Sequence, residues 1–71
     1  NTITMSMYDT DVLIEQIFSD NTRIDIYQSV TGMYYGSVFY KKAHIYYSSM
    51  YDNMDMIPIL CRAWIKTNVT F

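Results

Sequence analysis

Between Tyr34 and Tyr51 this chain concentrates six of its eight tyrosines, Tyr34, Tyr35, Tyr40, Tyr46, Tyr47 and Tyr51, with Phe39 among them. Aromatic side chains favour the pleated surface of a sheet, so the stretch reads as paired strands. A strand from about Met33 to Lys41 puts Tyr34, Gly36, Val38 and Tyr40 on one face and Tyr35, Ser37 and Phe39 on the other. The segment from His44 to Tyr51 supplies another strand. Rings on two faces of one hairpin are more than one helix layer covers, which leaves one face for contact with a partner.

Length sharpens that argument. The 71 residues make a single small domain over 1–71, and the lack of an initiator methionine points to processing or to a fragment of a longer protein. A globular chain of this size hides only about 60% of its unfolded surface. Small folds usually gain stability from disulfides, a metal or a partner subunit. Cys61 is the lone cysteine and His44 the lone histidine, so no internal bridge forms and a tetrahedral zinc site lacks its usual ligands. Association becomes the leading source of extra burial.

Other features narrow the function classes. A net charge of −2 with five basic residues, Lys41-Lys42 being the one adjacent pair, argues against a strong phosphate-binding surface. No apolar run approaches the ~20 residues that span a bilayer, and Asn1 to Met7 does not resemble a signal peptide. A lone cysteine fits a reducing, intracellular compartment. Asn68-Val69-Thr70 fits the glycosylation acceptor pattern, which matters only in a secreted protein. Abundant Asn, Ile, Tyr, Met and Asp against scarce Ala, Gly, Pro and Arg suggests A/T-rich coding, as in many large DNA viruses and phages.

Along the chain, Ile3, Met5 and Met7 alternate with polar residues like a half-buried strand. Asp9, Thr10 and Asp11 offer capping oxygens for a helix carrying Leu13, Ile14, Ile17 and Phe18 on one face, ending near Asp20. Ile24 and Ile26, with Val30 as a further candidate, line one side of a second strand, which Thr31-Gly32 breaks in a hairpin turn. Near the C-terminus, Asp55 caps a helix that admits Pro58 in its first turn and presents Ile57, Leu60, Cys61 and Trp64, before a closing strand from Val69 to Phe71. The residues from Ile59 to Val69 also alternate like a strand, an alternative that remains open. Ser6-Met7-Tyr8-Asp9 recurs as Ser49-Met50-Tyr51-Asp52, which supports two strand-to-helix units. The expected fold is therefore α+β: an antiparallel sheet of four to five strands with two helices on one face, in the split β-α-β, ferredoxin-like arrangement. The alternative is a mostly β domain with one helix.

Met33-Tyr34-Tyr35-Gly36-Ser37-Val38-Phe39-Tyr40 resembles the third-strand octamer of the RNA recognition motif at Tyr35, Gly36, Val38 and Tyr40. It departs from that pattern at Met33, Tyr34 and Ser37. The resemblance implies single-stranded nucleic-acid binding by ring stacking. The acidic pairs Asp9/Asp11 and Asp52/Asp55 read as helix caps rather than cation sites, and Cys61 and His44 as structural residues rather than nucleophile and base. No cofactor signature is present. The expected function is that of a non-enzymatic protein-interaction or assembly domain, of viral or phage type, homo-oligomeric or bound to a protein partner. Tyr34, Tyr40, Tyr47 and Tyr51 are the partner-facing residues, with Tyr35 and Phe39 turned inward.

Overall fold

Four strands follow one another, β1 (Val12–Ser19), β2 (Thr22–Gln28), β3 (Tyr34–Tyr40) and β4 (Ala43–Tyr47), and one helix closes the chain, α1 (Met56–Asn68). This is a computed structural model that describes residues 3–69. Each strand pairs antiparallel with the next, giving one open sheet in the order β1-β2-β3-β4.

Turn chemistry fixes the meander. Ser19 pairs with Thr22, so Asp20 and Asn21 form a two-residue loop in which Asn21 takes a positive φ of 65°. Asn is among the few residues that tolerate this at low cost. Gly32, at φ 89°, donates its N–H to the Ser29 carbonyl and closes the β2–β3 connection. The β3–β4 loop is less ordinary. Lys41 and Lys42 both take left-handed conformations, φ 49° and 71°, where a side chain costs about 1–2 kcal/mol per residue. The Lys41 N–H bonds the Asn21 carbonyl at 2.7 Å, so the two hairpin tips are tied together at one end of the sheet.

The helix forms where the C-terminal spacing predicts one. Pro58 sits in its first turn, where no N–H partner is needed. Asp55 precedes it without a side-chain capping bond; instead Asn53 Oδ1 accepts the Asp55 N–H at 3.0 Å. Ile57, Cys61 and Ile65, spaced four apart, bury one stripe against Ile24 and Ile26 of β2 and Val38 of β3. Ile26, Val38 and Ile57 are fully buried, and each such side chain contributes about 1.5–3 kcal/mol. Gly36 lies beneath α1. A Cβ there would stand 2.4 Å from Cys61 Sγ and 2.8 Å from Ile57 Cγ2, so glycine is what lets helix and sheet meet.

Several expectations are corrected. Residues 12–19 form strand β1, not a helix, so the described residues hold one helix rather than two and do not form the ferredoxin-like arrangement. The apolar spacing that mimics a helix arises because Ile14 is an extra residue between the Leu13–Tyr27 and Glu15–Ile26 pairs. That bulge breaks the period-two pattern. Its β-branched residues and the Asp20-Asn21 turn favour the hairpin. The Ser-Met-Tyr-Asp echo accordingly does not mark two equivalent units, since one copy leads into a strand and the other into a helix. Ile3 to Met7 lies outside the sheet, and the expected closing strand is not formed at Val69; Thr70 and Phe71 lie outside the described residues.

Candidate interaction surfaces

The tyrosines singled out in the sequence do not share one face. Tyr34, on the α1 side of β3, is half-buried against the core and exchanges two backbone hydrogen bonds with Tyr51, at 2.7 and 2.8 Å. Tyr51 rests on the same core. Tyr40, half-buried at the far end of β3, neighbours the Lys41 ammonium, 5.4 Å from its ring centroid. Tyr47 lies on the opposite face, its ring 6.0 Å from Tyr35 and 4.2 Å from His44. Tyr46, not selected from the sequence, stacks on Trp64 of α1 at 4.1 Å and 9°. Tyr35 and Phe39 are buried. Most of the aromatic excess is therefore spent in two internal layers, one on each side of the sheet.

The layer away from α1 is aromatic and polar together. Tyr27 stacks on Tyr35 at 5.5 Å, Phe39 meets His44 edge-on at 5.2 Å, and the Arg23 guanidinium lies 4.0 Å over the Phe39 ring. Between them Asp25 is fully buried, accepting bonds from Arg23 Nε at 2.9 Å, Arg23 Nη2 at 3.0 Å and Gln16 Nε2 at 3.2 Å. Residues 3–8, which bend at Met7 and Tyr8, cover this layer as a strap. Arg23 donates to the Ile3 carbonyl, Ser37 and Tyr47 to that of Met5, and Tyr47 also to that of Ser6. The Met7 N–H donates to Tyr35 Oη, and the Tyr35 hydroxyl donates to Asp11. Asp11 thus anchors the strap and, through the Tyr8 N–H, closes its turn, rather than capping a helix. Burial, and then the bond to Asp11, push the Tyr35 hydroxyl well above the usual tyrosine range. Burial lowers His44 and raises Tyr47. Tyr35, the ring that the RNA-recognition resemblance makes a stacking platform, is closed off beneath the strap.

The exposed apolar surface lies elsewhere. Helix α1 packs on β2 and β3 and leaves β1 as an open edge, touched on the core side only through Ile17. Along β1, Val12 is 58% exposed, Ile14 43% and Phe18 68%. The strap adds exposed Ile3, Met5 and Met7. Beside Phe18 is a cleft of about 440 Å³ lined by Ile3, Phe18, Phe39, Arg23, Lys41 and Lys42 among others, with no carboxylate among the described residues of its wall. The sequence held a signal for the edge: the Asp20-Asn21 turn between two β-branched runs marks 12–19 as a hairpin arm.

Cys61 and His44 lie on opposite sides of the sheet, Cys61 against Gly36 and His44 against Phe39 and Tyr47. Burial pushes the Cys61 thiol up to about 11, which disfavours the nucleophilic thiolate. Among the described residues no group of three or more His, Cys, Asp or Glu could hold a metal ion, and no helix is long and apolar enough to cross a membrane. Comparison with protein families, with curated proteins and with solved structures gives no match.

Proposed function

We propose that this chain is a non-enzymatic assembly domain that acts by protein–protein contact, adding a second copy of itself along the edge of β1. One observation carries the reading. β1 is an eight-residue edge strand with exposed apolar side chains and a single charge, Glu15. Sheet proteins normally blunt such an edge with lysine, proline or a very short strand. β4, the other edge, is five residues long and follows the Lys41-Lys42 tip. β1 keeps only its bulge at Ile14, which leaves the run from Glu15 to Ser19 regular.

Antiparallel self-pairing centred near Ile17 extends the apolar strip formed by Ile24 and Ile17. It places Glu15 opposite Ser19 of the partner subunit, which avoids the like-charge pair that destabilises a ladder. In this reading Tyr34, Tyr40, Tyr47 and Tyr51 brace the sheet from its two sides, and contact with the second copy passes to β1.

Sedimentation equilibrium at ~0.5 M salt, where exposed charges are screened, tests the reading. A concentration-dependent dimer is expected for the parent chain, lost in the double variant Glu15→Lys/Ser19→Lys, which sets like charges directly opposite each other in the paired run. A parent chain that stays monomeric at the highest soluble concentration overturns it, as does a dimer that survives both lysines.

A further inference from the structure

The charges of this molecule are sorted by end. At the end that carries the Asp20-Asn21 and Lys41-Lys42 tips lie all five basic residues. Arg23, Lys41 and Lys42 line the larger cleft, and Arg62 and Lys66 line a shallower one with Ser19, Thr22 and Ile24. Asp20, in the turn, is the one exposed carboxylate there among the described residues, since Asp25 is buried in its pair with Arg23. At the opposite end, where Val12, Gln28 and Tyr34 align and Tyr34 meets Tyr51, stand Asp9, Asp11, Asp52 and Asp55. Asp9, Asp52 and Asp55 are exposed, and none of the five Lys and Arg lies there.

We infer that the acidic end of one copy docks on the basic end of the next, head to tail, with Tyr8-Asp9 of one copy entering the cleft between Phe18 and Phe39 of its neighbour. Tyr8 is 67% exposed and immediately precedes exposed Asp9, so the tip offers a ring with a carboxylate beside it. The cleft offers the complement: Ile3, Phe18 and Phe39 for the ring, Lys41 and Lys42 for the charge. A volume of about 440 Å³ lies within the range of pockets that take a ligand-sized group. The only ion pair among the described residues is Arg23 with Asp25, so neither lysine has a carboxylate partner among them. The fold also holds both lysines in left-handed backbone conformations, a strain that tends to persist where placement of the side chain matters. Such a contact uses different patches on the two copies, so it repeats into a chain or a ring rather than stopping at a dimer.

The inference rests on the chain being an assembly domain, but its interface meets β1 only at Phe18 and Ser19 and its chemistry differs. Charge contacts on the surface are screened over a Debye length of about 10 Å at ~0.1 M salt. The parent chain is therefore expected to sediment as larger species at ~0.02 M salt than at ~0.5 M. Lys41→Glu/Lys42→Glu and, separately, Asp9→Lys/Asp52→Lys should each lose that low-salt growth, with association weakened tenfold or more. Mixed together, the two variants regain complementary ends and should co-sediment. Tyr8→Ala should weaken the growth without changing its dependence on salt. Thermal melts establish that each variant is folded; if the glutamate pair is not, Lys41→Gln/Lys42→Gln takes its place and should also lose the growth.

Equal size at both salt concentrations overturns the inference, as does a mixture of folded variants that fails to associate. A chain that stays monomeric at low salt but retains an acidic peptide or an oligonucleotide also overturns it, because the basic end then serves another partner. The two interfaces are distinguishable in one series. A salt-independent dimer without low-salt growth sustains β1 pairing and refutes head-to-tail docking; monomers at high salt that grow at low salt do the reverse.

Discussion

Gly36→Ala tests how the helix is seated. The added methyl would lie 2.4 Å from Cys61 Sγ and 2.8 Å from Ile57 Cγ2, both on the fully buried stripe of α1. Overpacking of this kind costs about 1–3 kcal/mol. Alanine recovers about 0.5–1 kcal/mol over glycine within a strand, so the net loss is about 1–2 kcal/mol. Small domains have about 0.05–0.15 kcal/mol of stability per residue, and one of this size shifts its Tm by about 4–8 °C per kcal/mol. A fall of about 5–15 °C in a circular-dichroism melt is therefore expected. Cys61→Ala removes the nearer atom at the cost of a small cavity. The double variant should be more stable than the sum of the two singles by about 1 kcal/mol, a coupling that only touching residues show. Ile57 still crowds the site, so recovery is incomplete. If Gly36→Ala melts at or above the parent temperature, or the two changes simply add, the close approach is not what seats α1.

Asp25→Ala removes one partner of a buried ion pair and leaves Arg23 facing a hydrophobic layer. About 3–5 kcal/mol should be lost, read in urea titrations, while Arg23→Met/Asp25→Leu should recover most of it. Tyr27→Phe should be neutral or mildly stabilising, because the buried Tyr27 hydroxyl has no hydrogen-bond partner among the described residues; a clear loss in the same titration would show that it has one. Stability should decline as pH rises from 9 through about 11, since the folded state holds the Cys61 thiol up to about 11 and the unfolded chain releases that proton sooner. Cys61→Ala should flatten this limb, although the raised Tyr35 hydroxyl keeps a decline above pH 10. At the acid side the sign reverses. His44 is lowered by burial, so its contribution is present above pH 6.5 and fades as pH falls below that value.

The parts of the fold legible in the sequence are those where one local signal dominates. Gly32 marks the β2–β3 turn because only a positive φ closes it there, and Pro58 with the Ile57-Cys61 spacing marks the start of α1. Where two periods compete, the reading fails. In β1 the bulge at Ile14 restores a three-and-four spacing to what is an edge strand. The β3–β4 turn carries no glycine or asparagine, because two lysines occupy the strained positions. The division of the tyrosines was unreadable for a different reason. Their placement depends on what covers each face, and the cover on one side is the strap, whose hold on the sheet comes through main-chain atoms that no residue pattern announces. Nothing in the spacing of Arg23 and Asp25, two apart on a strand, distinguishes their buried pair from two surface charges.

The strap also orders events in time. Its bonds to Tyr35, Ser37 and Tyr47 span 28, 32 and 42 residues, whereas the meander is built from neighbouring strands. Contacts of large sequence separation form late because loop closure comes first. The sheet should therefore assemble before residues 3–8 settle, and those residues should be among the first to detach. The Met7 amide, bonded only to a tyrosine oxygen, should exchange with solvent well before that of Gly36, which is held by Ser48 Oγ beneath the helix. Since the grip is on carbonyls rather than side chains, Thr4, Met5 and Ser6 can be rewritten with little penalty. That makes the strap the natural place in this domain to vary residues while the fold beneath stays the same.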